Sequence, residues 1–408
     1  MILKNKVIII LGIAKFDGPY ESTSFTAAKF LAKDNDVYYV DYPYTWKDCL
    51  RQRDEAYQKR KELFRAKSDG IIETEIPRLK IVIVPPVLSI NFLKEGSLYR
   101  SLLKYNEKII ARRILKAVGK ERVHDAVYIN SFNFHYPNLA ELLSPKLSVY
   151  HCVDPLILWH DRKHGVISEK ILVQNSALVI CTSRQLFEEK KSLNHSTFFI
   201  PNAADLEHSS KAMDPQLPVD ERLKEIPSPI IGYFGNIERR MDYDLLTRVI
   251  ESNTDKSFVF AGPVVEEFVP ESFRALKNVY FIGRIPYPEM PAVIKGFDVA
   301  MIPFKKDEVS KTIFPLKLFE YLGAGKPVVA TDFNTDLKEF THEEIPYCAT
   351  ATEFSSAIQA SLTGDTDNKK QSRIKIAAEN SWERRLNDFS TLIDNYYVRD
   401  GKGSNYTN

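Results

Sequence analysis

One short segment combines the residue types that hold a phosphate-bearing ligand. Pro315 suits the first position of a helix, and Gly323 or Gly325 would end that helix before the next strand. A helix start presents free N–H groups and the positive end of the helix dipole, so it attracts anions. Lys317 falls in the first turn and adds a positive charge. The segment therefore predicts a site for a diphosphate.

Glu320 follows Lys317 by three residues, a spacing that has two interpretations. Along a helix that rises about 1.5 Å per residue, Glu320 lies roughly 7.5 Å beyond Pro315, a suitable step from a diphosphate to a ribose. Its carboxylate would accept hydrogen bonds from both ribose hydroxyls. Alternatively, Lys317 and Glu320 form an ordinary solvent-exposed ion pair on a helix surface.

The composition of the 408 residues is that of an ordinary folded protein with two or three domains. Hydrophobic residues make up 44% and charged residues 27%, which excludes long disorder and a coiled coil. The net charge of +2 is too small for nucleic-acid binding driven by overall charge, so we expect no nucleic-acid partner.

Neither the apolar runs nor the cysteines indicate a membrane span or export. The longest apolar run, from Val7 to Ala14, is far shorter than the ~18 residues that cross a bilayer, and we interpret it as a buried first strand. The four cysteines are widely scattered, unlike those of a zinc site or a disulfide scaffold. We therefore expect a cytoplasmic protein.

Short apolar runs alternate with helix-length segments, a pattern typical of parallel strands buried on both faces. The first series comprises residues 6–11, 36–40, 79–84, 126–129, 147–150 and 177–181. After a proline-rich stretch, a second series comprises residues 230–235, 257–261, 278–282, 298–302 and 327–331. We predict an α/β protein with two doubly wound, Rossmann-like domains that face a ligand-binding cleft. The predicted domains are residues 1–205 and 206–382, followed by a flexible tail at 399–408.

Four stretches carry a resemblance to a known family. They are residues 200–205, 278–284, 297–304 and 315–329, and their order and spacing extend over most of residues 145–390. They resemble glycosyltransferases of the GT-B fold, specifically the large retaining family 4 or group 1 class and its bacterial members that make exopolysaccharides or cell-wall glycans. The resemblance implies a hexosyltransferase-type enzyme that moves a sugar from a nucleotide-diphosphate sugar, with uridine as the expected base, to a carbohydrate or lipid-linked acceptor. It also implies that a C-terminal helix, about 383–398, crosses back onto the first domain.

The resemblance implies roles for the residues around Glu320. This residue would be the second glutamate of an E-x7-E motif, which binds the donor ribose, and the first position of the motif is Thr312. The chain therefore lacks the carboxylate that the family associates with the donor sugar ring, and a retaining and an inverting mechanism both stay open. Phe314 and Pro315 belong to the same donor-binding turn.

A second donor-binding segment follows the first strand of the second series. The family places a pair of basic residues here to neutralise the donor diphosphate, and Arg239 and Arg240, shortly after Gly235, are the matching residues. Asn236 occupies the position of the family's first basic residue. The alternative is a pair of solvent-exposed arginines with no ligand.

The acceptor hydroxyl needs a proton acceptor, which we expect from the first domain. Asp154 and His151 follow a predicted strand, within a Tyr-x-x-x-Asp sequence that similar transferases carry at this place. We choose Asp154 as the base and His151 as the second candidate. The alternative for Asp154 is a structural cap on the following helix.

The turn after the first strand is a candidate neighbour of the acceptor. The resembled family often has a glycine-rich turn at this place, and Asp17, Gly18 and Glu21 are the corresponding residues. The sequence Asp-Gly-Pro is also an ordinary turn signal, which is the alternative interpretation.

Two basic stretches suggest a possible membrane surface. Residues 51–67 hold seven basic and three acidic residues, and residues 104–116 hold five basic residues interleaved with apolar ones. Such segments bind an anionic leaflet or a lipid diphosphate acceptor, which would make the protein peripheral on the inner face of the cell membrane. More often they are solvent-exposed helix faces.

The sequence predicts no metal and no cofactor. His160 and His164 have a helical spacing, but no carboxylate or cysteine stands at a supporting position, and the resembled fold generally works without a metal. Neither domain opens with Gly-x-Gly-x-x-Gly, and no Gly-x-Ser-x-Gly occurs, which argues against nicotinamide-dependent oxidoreductases and serine hydrolases.

A glycosyltransferase explains the two domains and the candidate diphosphate site together. The first alternative is a catalytically silent nucleotide-sugar-binding scaffold, suggested by Thr312 and Asn236. The second is a sugar-nucleotide epimerase of GT-B architecture. No oligomeric state follows from the sequence.

Overall fold

A computed structural model describes residues 2–18, 22–51, 55–65, 67–156 and 159–400. The chain forms two compact units. The first runs from the N-terminus to Ile200 and takes in the C-terminal segment from Leu386 onward, and the second is Pro201–Arg385. The first boundary thus lies five residues before the predicted one. The predicted flexible tail, 399–408, falls almost entirely outside the described residues.

The first unit contains an eight-stranded sheet in the order β3-β4-β2-β1-β5-β6-β7-β8. All neighbouring strands are parallel except β3, which pairs antiparallel with β4. The strands are β1 (Val7–Gly12), β2 (Asp36–Val40), β3 (Ile71–Glu73), β4 (Leu79–Val82), β5 (Val127–Ser131), β6 (Leu147–Cys152), β7 (Leu178–Cys181) and β8 (Thr197–Phe199).

Helices follow most of these strands and cover the sheet. Local capping sets several of their starts: the Ser22 side chain accepts a hydrogen bond from Phe25 N before the first helix, and Ser183 does the same for Leu186 N. The helices are α1 (Thr23–Leu31), α2 (Trp46–Arg51), α3 (Glu55–Lys61), α4 (Ser97–Val118), α5 (Lys120–His124), α6 (Leu139–Leu143), α7 (Trp159–Asn175) and α8 (Arg184–Lys191).

The second unit contains a six-stranded, fully parallel sheet in the order β11-β10-β9-β12-β13-β14. Its strands are β9 (Ile230–Phe234), β10 (Ser257–Ala261), β11 (Val279–Gly283), β12 (Val299–Ile302), β13 (Val328–Thr331) and β14 (Tyr347–Cys348). Its helices are α9 (Leu206–Ser209), α10 (Tyr243–Glu251), α11 (Glu271–Arg274), α12 (Met290–Lys295), α13 (Leu316–Gly323), α14 (Asp336–Thr341), α15 (Ala351–Thr363) and α16 (Asp367–Glu379).

The last helix, α17 (Trp382–Asp400), packs most of its length into the first unit. Its side chains Phe389, Ile393 and Tyr397 are buried. The Tyr397 hydroxyl donates to Asp125 O at 2.9 Å, and Leu3 N donates to Ser390 Oγ at 3.1 Å. These contacts fasten the C-terminal helix to the first sheet.

The predicted α/β class with two doubly wound, Rossmann-like domains is confirmed. Each sheet is buried because its strands are apolar on both faces: β10 and β12, for example, are buried at every residue. No described helix combines the length and the apolar character needed to cross a bilayer.

Candidate functional site

The start of α13 presents uncapped backbone N–H groups. Pro315 is the N-cap residue, with φ −76° and ψ 122°, and it provides no side-chain hydrogen bond to the first turn. Tyr321 anchors the helix to the end of β9, because its hydroxyl accepts a hydrogen bond from Phe234 N at 2.7 Å. The helix start is thus fixed at the carboxyl end of the central strand, where parallel α/β sheets bind ligands.

The Lys317 ammonium group lies among aromatic rings at this strand end. Lys317 Nζ donates to Tyr233 Oη at 2.6 Å and lies 5.1 Å from the centroid of the Phe304 ring. Tyr233 Oη in turn donates to Asn236 O at 2.9 Å. Burial, assisted by the positive charge of Arg240, lowers the pKa of Lys317 to about 7. A bound anion would raise the pKa of Lys317 again and favour the charged ammonium.

Two glycines let the backbone approach this ammonium group closely. Gly235 has φ +136°, and a Cβ there would lie 2.6 Å from Lys317 Nζ. Gly262 has φ +149°, and its Cβ would lie 2.1 Å from Gly235 O. Both positions favour glycine for the positive φ, and Gly262 also leaves no space for a Cβ because the neighbouring atom belongs to the backbone.

Glu320 is buried, with 8% of its surface exposed. Burial raises the pKa of Glu320 to about 7, although the charge of Lys317 acts in the opposite direction. Its hydrogen-bond partner is Tyr287, whose hydroxyl lies 3.5 Å from Glu320 Oε1. Lys317 and Glu320 both belong to the described residues, and they form no ion pair with each other. The alternative of a solvent-exposed ion pair is therefore wrong.

Tyr287 is a site residue that the sequence analysis missed. Its ring stacks on His208, with the centroids 4.3 Å apart, and His208 Nε2 lies 2.8 Å from Tyr287 O. Tyr287 comes from a 3-10 turn after β11, whereas His208 belongs to α9. No motif in the sequence pointed to either residue, because only the fold brings these segments to Glu320.

Arg239 and Arg240 do not form the expected pair of free cations. Both guanidinium groups lie within ion-pair distance of the Glu238 carboxylate. Arg240 also lies 5.7 Å from the centroid of the Phe304 ring, on which Lys317 packs as well. The positive charge of the segment is therefore partly neutralised. Asn236 is exposed next to it.

Thr312 and Phe314 have structural roles that account for their burial. The Thr312 hydroxyl donates to Val309 O at 2.7 Å within a short 3-10 turn, so it is already used. The Phe314 ring is 4% exposed and packs against Phe319 and Phe340 at centroid distances of 5.4 and 5.1 Å. Both side chains are used in local packing and hydrogen bonding, and their contact with the donor stays a prediction.

The two candidate bases of the first unit differ in exposure. Asp154 is exposed two residues after β6 ends. His151 is 4% exposed, packs on Phe389 and lies 3.3 Å from Ser131 Oγ through its Nδ1. Burial lowers the pKa of His151 to about 4. This environment favours a packing role for His151.

Asp17 belongs to an ion-pair network around the buried Arg60. Arg60 is fully buried and binds both oxygens of Asp17 at 2.9 and 2.6 Å, and its Nε donates to Asp41 Oδ2 at 2.7 Å. Gly18 N donates to Lys15 O at 3.1 Å in a tight turn. Asp17 and Gly18 thus form an ordered turn, and their role as acceptor neighbours stays a prediction. Glu21 lies outside the described residues.

The two basic stretches expose fewer basic side chains than their sequence contains, because some of these side chains are buried. Arg60 is buried in the network above, and Arg113 is 3% exposed and donates to Leu63 O and Arg65 O at 2.9 Å. On α4 the remaining exposed basic residues are Lys104, Lys108, Arg112 and Lys116.

Comparison with known proteins gives this geometry a family. The family model described as Glycosyl transferases group 1 matches residues 228–363, all within the second unit. We call the matched part of the second unit the glycosyl transferase domain. The residues that match the family model include Gly235, Arg240, Tyr287, Lys317 and Glu320, whereas His208 lies before the matched range.

The chain is also similar to a curated relative. TuaH of Bacillus subtilis (strain 168), named as a glycosyltransferase of teichuronic acid biosynthesis, is 25% identical over 217 residues, which is 50% of this chain and 55% of that protein. The alignment therefore spans about half the length of the relative.

Solved structures extend the likeness beyond the glycosyl transferase domain. Sucrose-phosphate synthase from Thermosynechococcus elongatus superposes with a TM-score of 0.66 at 14% identity, covering 97% of this chain and 100% of that one. HepE of Anabaena in complex with UDP gives a TM-score of 0.62 at 14% identity, with the same coverage. The chain therefore has the GT-B fold.

No group of three or more His, Cys, Asp or Glu side chains in the described part of the chain is arranged to hold a metal ion. In the glycosyl transferase domain, Lys317 lies in the first turn of α13, and Arg240 is close enough for its charge to act on Lys317. These groups and the helix N–H groups can supply the positive charge that a diphosphate needs.

Proposed function

We propose that this protein is a glycosyltransferase that takes a sugar from a nucleotide-diphosphate donor held by the second unit. One observation supports the proposal above all: Lys317 and Glu320 do not pair with each other, although they are one turn apart on α13. Each has a separate buried environment, with Lys317 at Tyr233 and Glu320 at Tyr287. A cation and a carboxylate kept apart in this way suit two different parts of one ligand.

The diphosphate would bind at the first turn of α13. The backbone N–H groups there have no side-chain cap, and Lys317 supplies a full positive charge once an anion raises its pKa. Negative charge grows on the departing nucleoside diphosphate as the sugar–phosphate bond breaks. Donors that are already oriented stabilise this charge without reorganising, which is how the site would accelerate transfer.

The ribose would bind at Glu320. Its carboxylate can accept hydrogen bonds from both ribose hydroxyls, and Tyr287 fixes its orientation through Glu320 Oε1. Two ribose donors would also compensate the cost of keeping the carboxylate ionised in a buried position.

A uridine nucleotide is our first choice of donor, supported by HepE of Anabaena, which was solved in complex with UDP. The acceptor is a carbohydrate or lipid-linked glycan of cell-surface polysaccharide synthesis, which agrees with the name of TuaH. We further propose that transfer needs no metal, because Lys317 and the helix start provide the positive charge.

One face of α4 supports contact with an anionic membrane surface. Leu98 and Tyr105 are 62% and 51% exposed and lie seven residues apart, on the same helix face as exposed Lys108 and Arg112. An amphipathic surface of this kind binds anionic lipids through apolar contact and charge. The protein would then act at the cytoplasmic face of the membrane.

Vesicle sedimentation tests this membrane surface. We expect the protein to pellet with phosphatidylglycerol-containing vesicles and to remain in the supernatant with phosphatidylcholine alone. Reversal of the charges at Lys108 and Arg112 to glutamate should abolish pelleting. Equal pelleting of wild type and variant would refute the assignment.

Donor binding and turnover test the enzymatic proposal. Isothermal titration with UDP should give binding that Glu320→Ala weakens about tenfold or more, because two hydrogen bonds to a charged group are lost. Glu251→Ala, at an exposed residue of α10, is the matched control and should bind normally. Normal UDP binding by Glu320→Ala would overturn the ribose assignment.

Product analysis separates the alternatives. A transferase should release UDP from a UDP-sugar only when an acceptor is present. Binding without any turnover would indicate the silent scaffold, and turnover of the donor without an acceptor would indicate the epimerase.

A further inference from the structure

A cavity of about 50 Å³ lies at the carboxyl-end edge of the first unit's sheet. Its lining comes from segments that follow β2, β4 and β5 and from α4. We call it the tyrosine cavity, and the residues relevant here are Tyr42, Ser89, Asn91, Tyr99, His135 and Tyr136. None of these residues was recognised as a site in the sequence, because they belong to four separate segments.

The three tyrosine hydroxyls of the tyrosine cavity have no protein partner. Tyr99 and Tyr136 are only 2% and 6% exposed, and Tyr42 is half-buried. Across the described ranges, none of the three phenol groups makes a hydrogen bond to the protein. Among the described residues, none of these three hydroxyl oxygens is a fully buried atom without a partner, so each keeps some accessible surface although the rings are largely buried. These three groups are therefore available to a ligand that enters the cavity.

The lining of the tyrosine cavity is polar but uncharged. Burial lowers the pKa of His135 to about 4, so its imidazole is neutral at pH 7. Burial, with the negative charges of Asp161 and Asp48, raises the pKa of Tyr42, so its phenol is also neutral. No described Lys, Arg, Asp or Glu side chain lines the cavity, and the Lys163 ammonium donates to the backbone oxygen of the lining residue Asn91 at 3.0 Å.

The aromatic wall of the tyrosine cavity is held rigidly from behind. The Tyr99 ring stacks on His164 with centroids 3.6 Å apart and an interplanar angle of 8°. His164 Nδ1 lies 2.7 Å from Glu95 Oε2, and Arg100 binds the same carboxylate through Nε at 2.7 Å. Because these rings are already fixed, the binding of a ligand costs little side-chain conformational entropy.

We propose that the tyrosine cavity binds one edge of a neutral sugar residue of the acceptor. Aromatic faces and uncharged hydroxyl, amide and imidazole groups match the apolar and hydroxyl-bearing parts of a pyranose. The volume corresponds to a few water molecules, at about 10–15 Å³ each on this measure, and so fits a hydroxymethyl group or a pair of ring hydroxyls. This inference rests on the proposed glycosyltransferase function and names the chemical class of its acceptor.

Saturation-transfer NMR on the full-length protein tests the proposal. The probes are the methyl glycosides of glucose, galactose, N-acetylglucosamine and N-acetylgalactosamine, compared with methyl glucuronide and farnesyl diphosphate. We expect saturation transfer to at least one neutral glycoside and none to the two anionic probes at this cavity. Tyr42→Phe and Tyr136→Phe should each weaken binding of the neutral glycoside about tenfold, because each removes a hydrogen bond.

Tyr44→Phe is the matched control for these substitutions. Tyr44 lies two residues from Tyr42, and its buried hydroxyl also lacks a partner within the described residues, but it does not line the tyrosine cavity. This variant should bind the glycoside normally. Absence of binding by every neutral glycoside, or equal binding by Tyr42→Phe, Tyr136→Phe and wild type, would overturn the proposal.

UDP titration of the same variants separates this proposal from the proposed function. Tyr42→Phe should keep wild-type UDP affinity, because UDP binds in the second unit. If wild-type protein binds a neutral glycoside but no nucleotide, the glycosyltransferase function fails while the sugar site stands. If it binds UDP but no neutral glycoside, only the sugar site fails.

Discussion

Gly235 and Lys317 lie so close that a Cβ on the glycine would be 2.6 Å from the ammonium nitrogen. This contact joins the turn after β9 to the first turn of α13. It fixes the position of the cation relative to the backbone N–H groups that would share a diphosphate with it.

The first prediction concerns Gly235→Ala. The added methyl group displaces the end of a flexible side chain, so the protein should fold but lose about tenfold in UDP affinity, measured by titration calorimetry. Gly119→Ala is the matched control, since Gly119 also has a positive φ, +95°, but no neighbouring atom within 4 Å of its Cβ. Both variants carry a backbone cost of about 1 kcal/mol. Equal loss of UDP affinity in both would contradict the proposed contact.

The second prediction concerns pH. The pKa of Lys317 is lowered to about 7, so the free ammonium loses its proton as pH rises above 7, and a bound diphosphate must raise the pKa again. UDP affinity should therefore fall above pH 7, by up to about tenfold per pH unit, with proton uptake on binding. Lys317→Arg keeps its charge and should remove this dependence. A wild-type affinity that is constant from pH 7 to 9 would contradict the assignment.

The third prediction concerns stability and Glu320. Because burial raises the folded-state pKa of Glu320 to about 7, this residue favours the folded protein fully below its unfolded pKa, about 4.3. That contribution is lost as pH rises from about 4.3 to 7. Glu320→Gln stays neutral, so in urea denaturation its stability relative to wild type should increase over this interval. A difference that is independent of pH would show that Glu320 is ionised without penalty.

The fourth prediction concerns Arg60. Its guanidinium is fully buried between Asp17 and Asp41, so Arg60→Ala should leave the buried Asp41 carboxylate without its cation, while the hydrogen bond from Phe16 N to Asp41 Oδ1 stays. Removal of one member of a buried ion pair costs about 3–5 kcal/mol of unfolding free energy, measurable in urea. The adjacent exposed Lys59 provides the control, and Lys59→Ala should leave stability unchanged. A small effect of Arg60→Ala would mean that water replaces the guanidinium.

The fifth prediction separates the two candidate bases. Asp154→Asn should abolish sugar transfer, because an amide cannot take the proton of the acceptor hydroxyl, while UDP affinity stays at the wild-type value, because the proposed UDP site is built from residues of the second unit. His151→Asn should chiefly lower the melting temperature, because the ring packs in the core against Phe389. Full turnover by Asp154→Asn would assign the base elsewhere. Transfer should also survive EDTA.

The strand pattern and the α13 motif could be predicted from the sequence. The two series of apolar runs correspond to the two observed parallel sheets, because strands buried on both faces must be apolar throughout. Lys317 and Glu320 were identified from local signals, since a helix start and a one-turn spacing are properties of neighbouring residues.

Only the tertiary structure decided which charges are free and which are paired. Arg60 and Asp17 are 43 residues apart, and Tyr287 and Glu320 are 33 residues apart, so no local pattern indicates either contact. The fold paired Asp17 with the buried Arg60, placed Thr312 and Phe314 in the packed interior, and brought three tyrosine rings from separate segments to one cavity. The physical reason is that a side chain's charge state and availability depend on its surroundings, which distant segments supply.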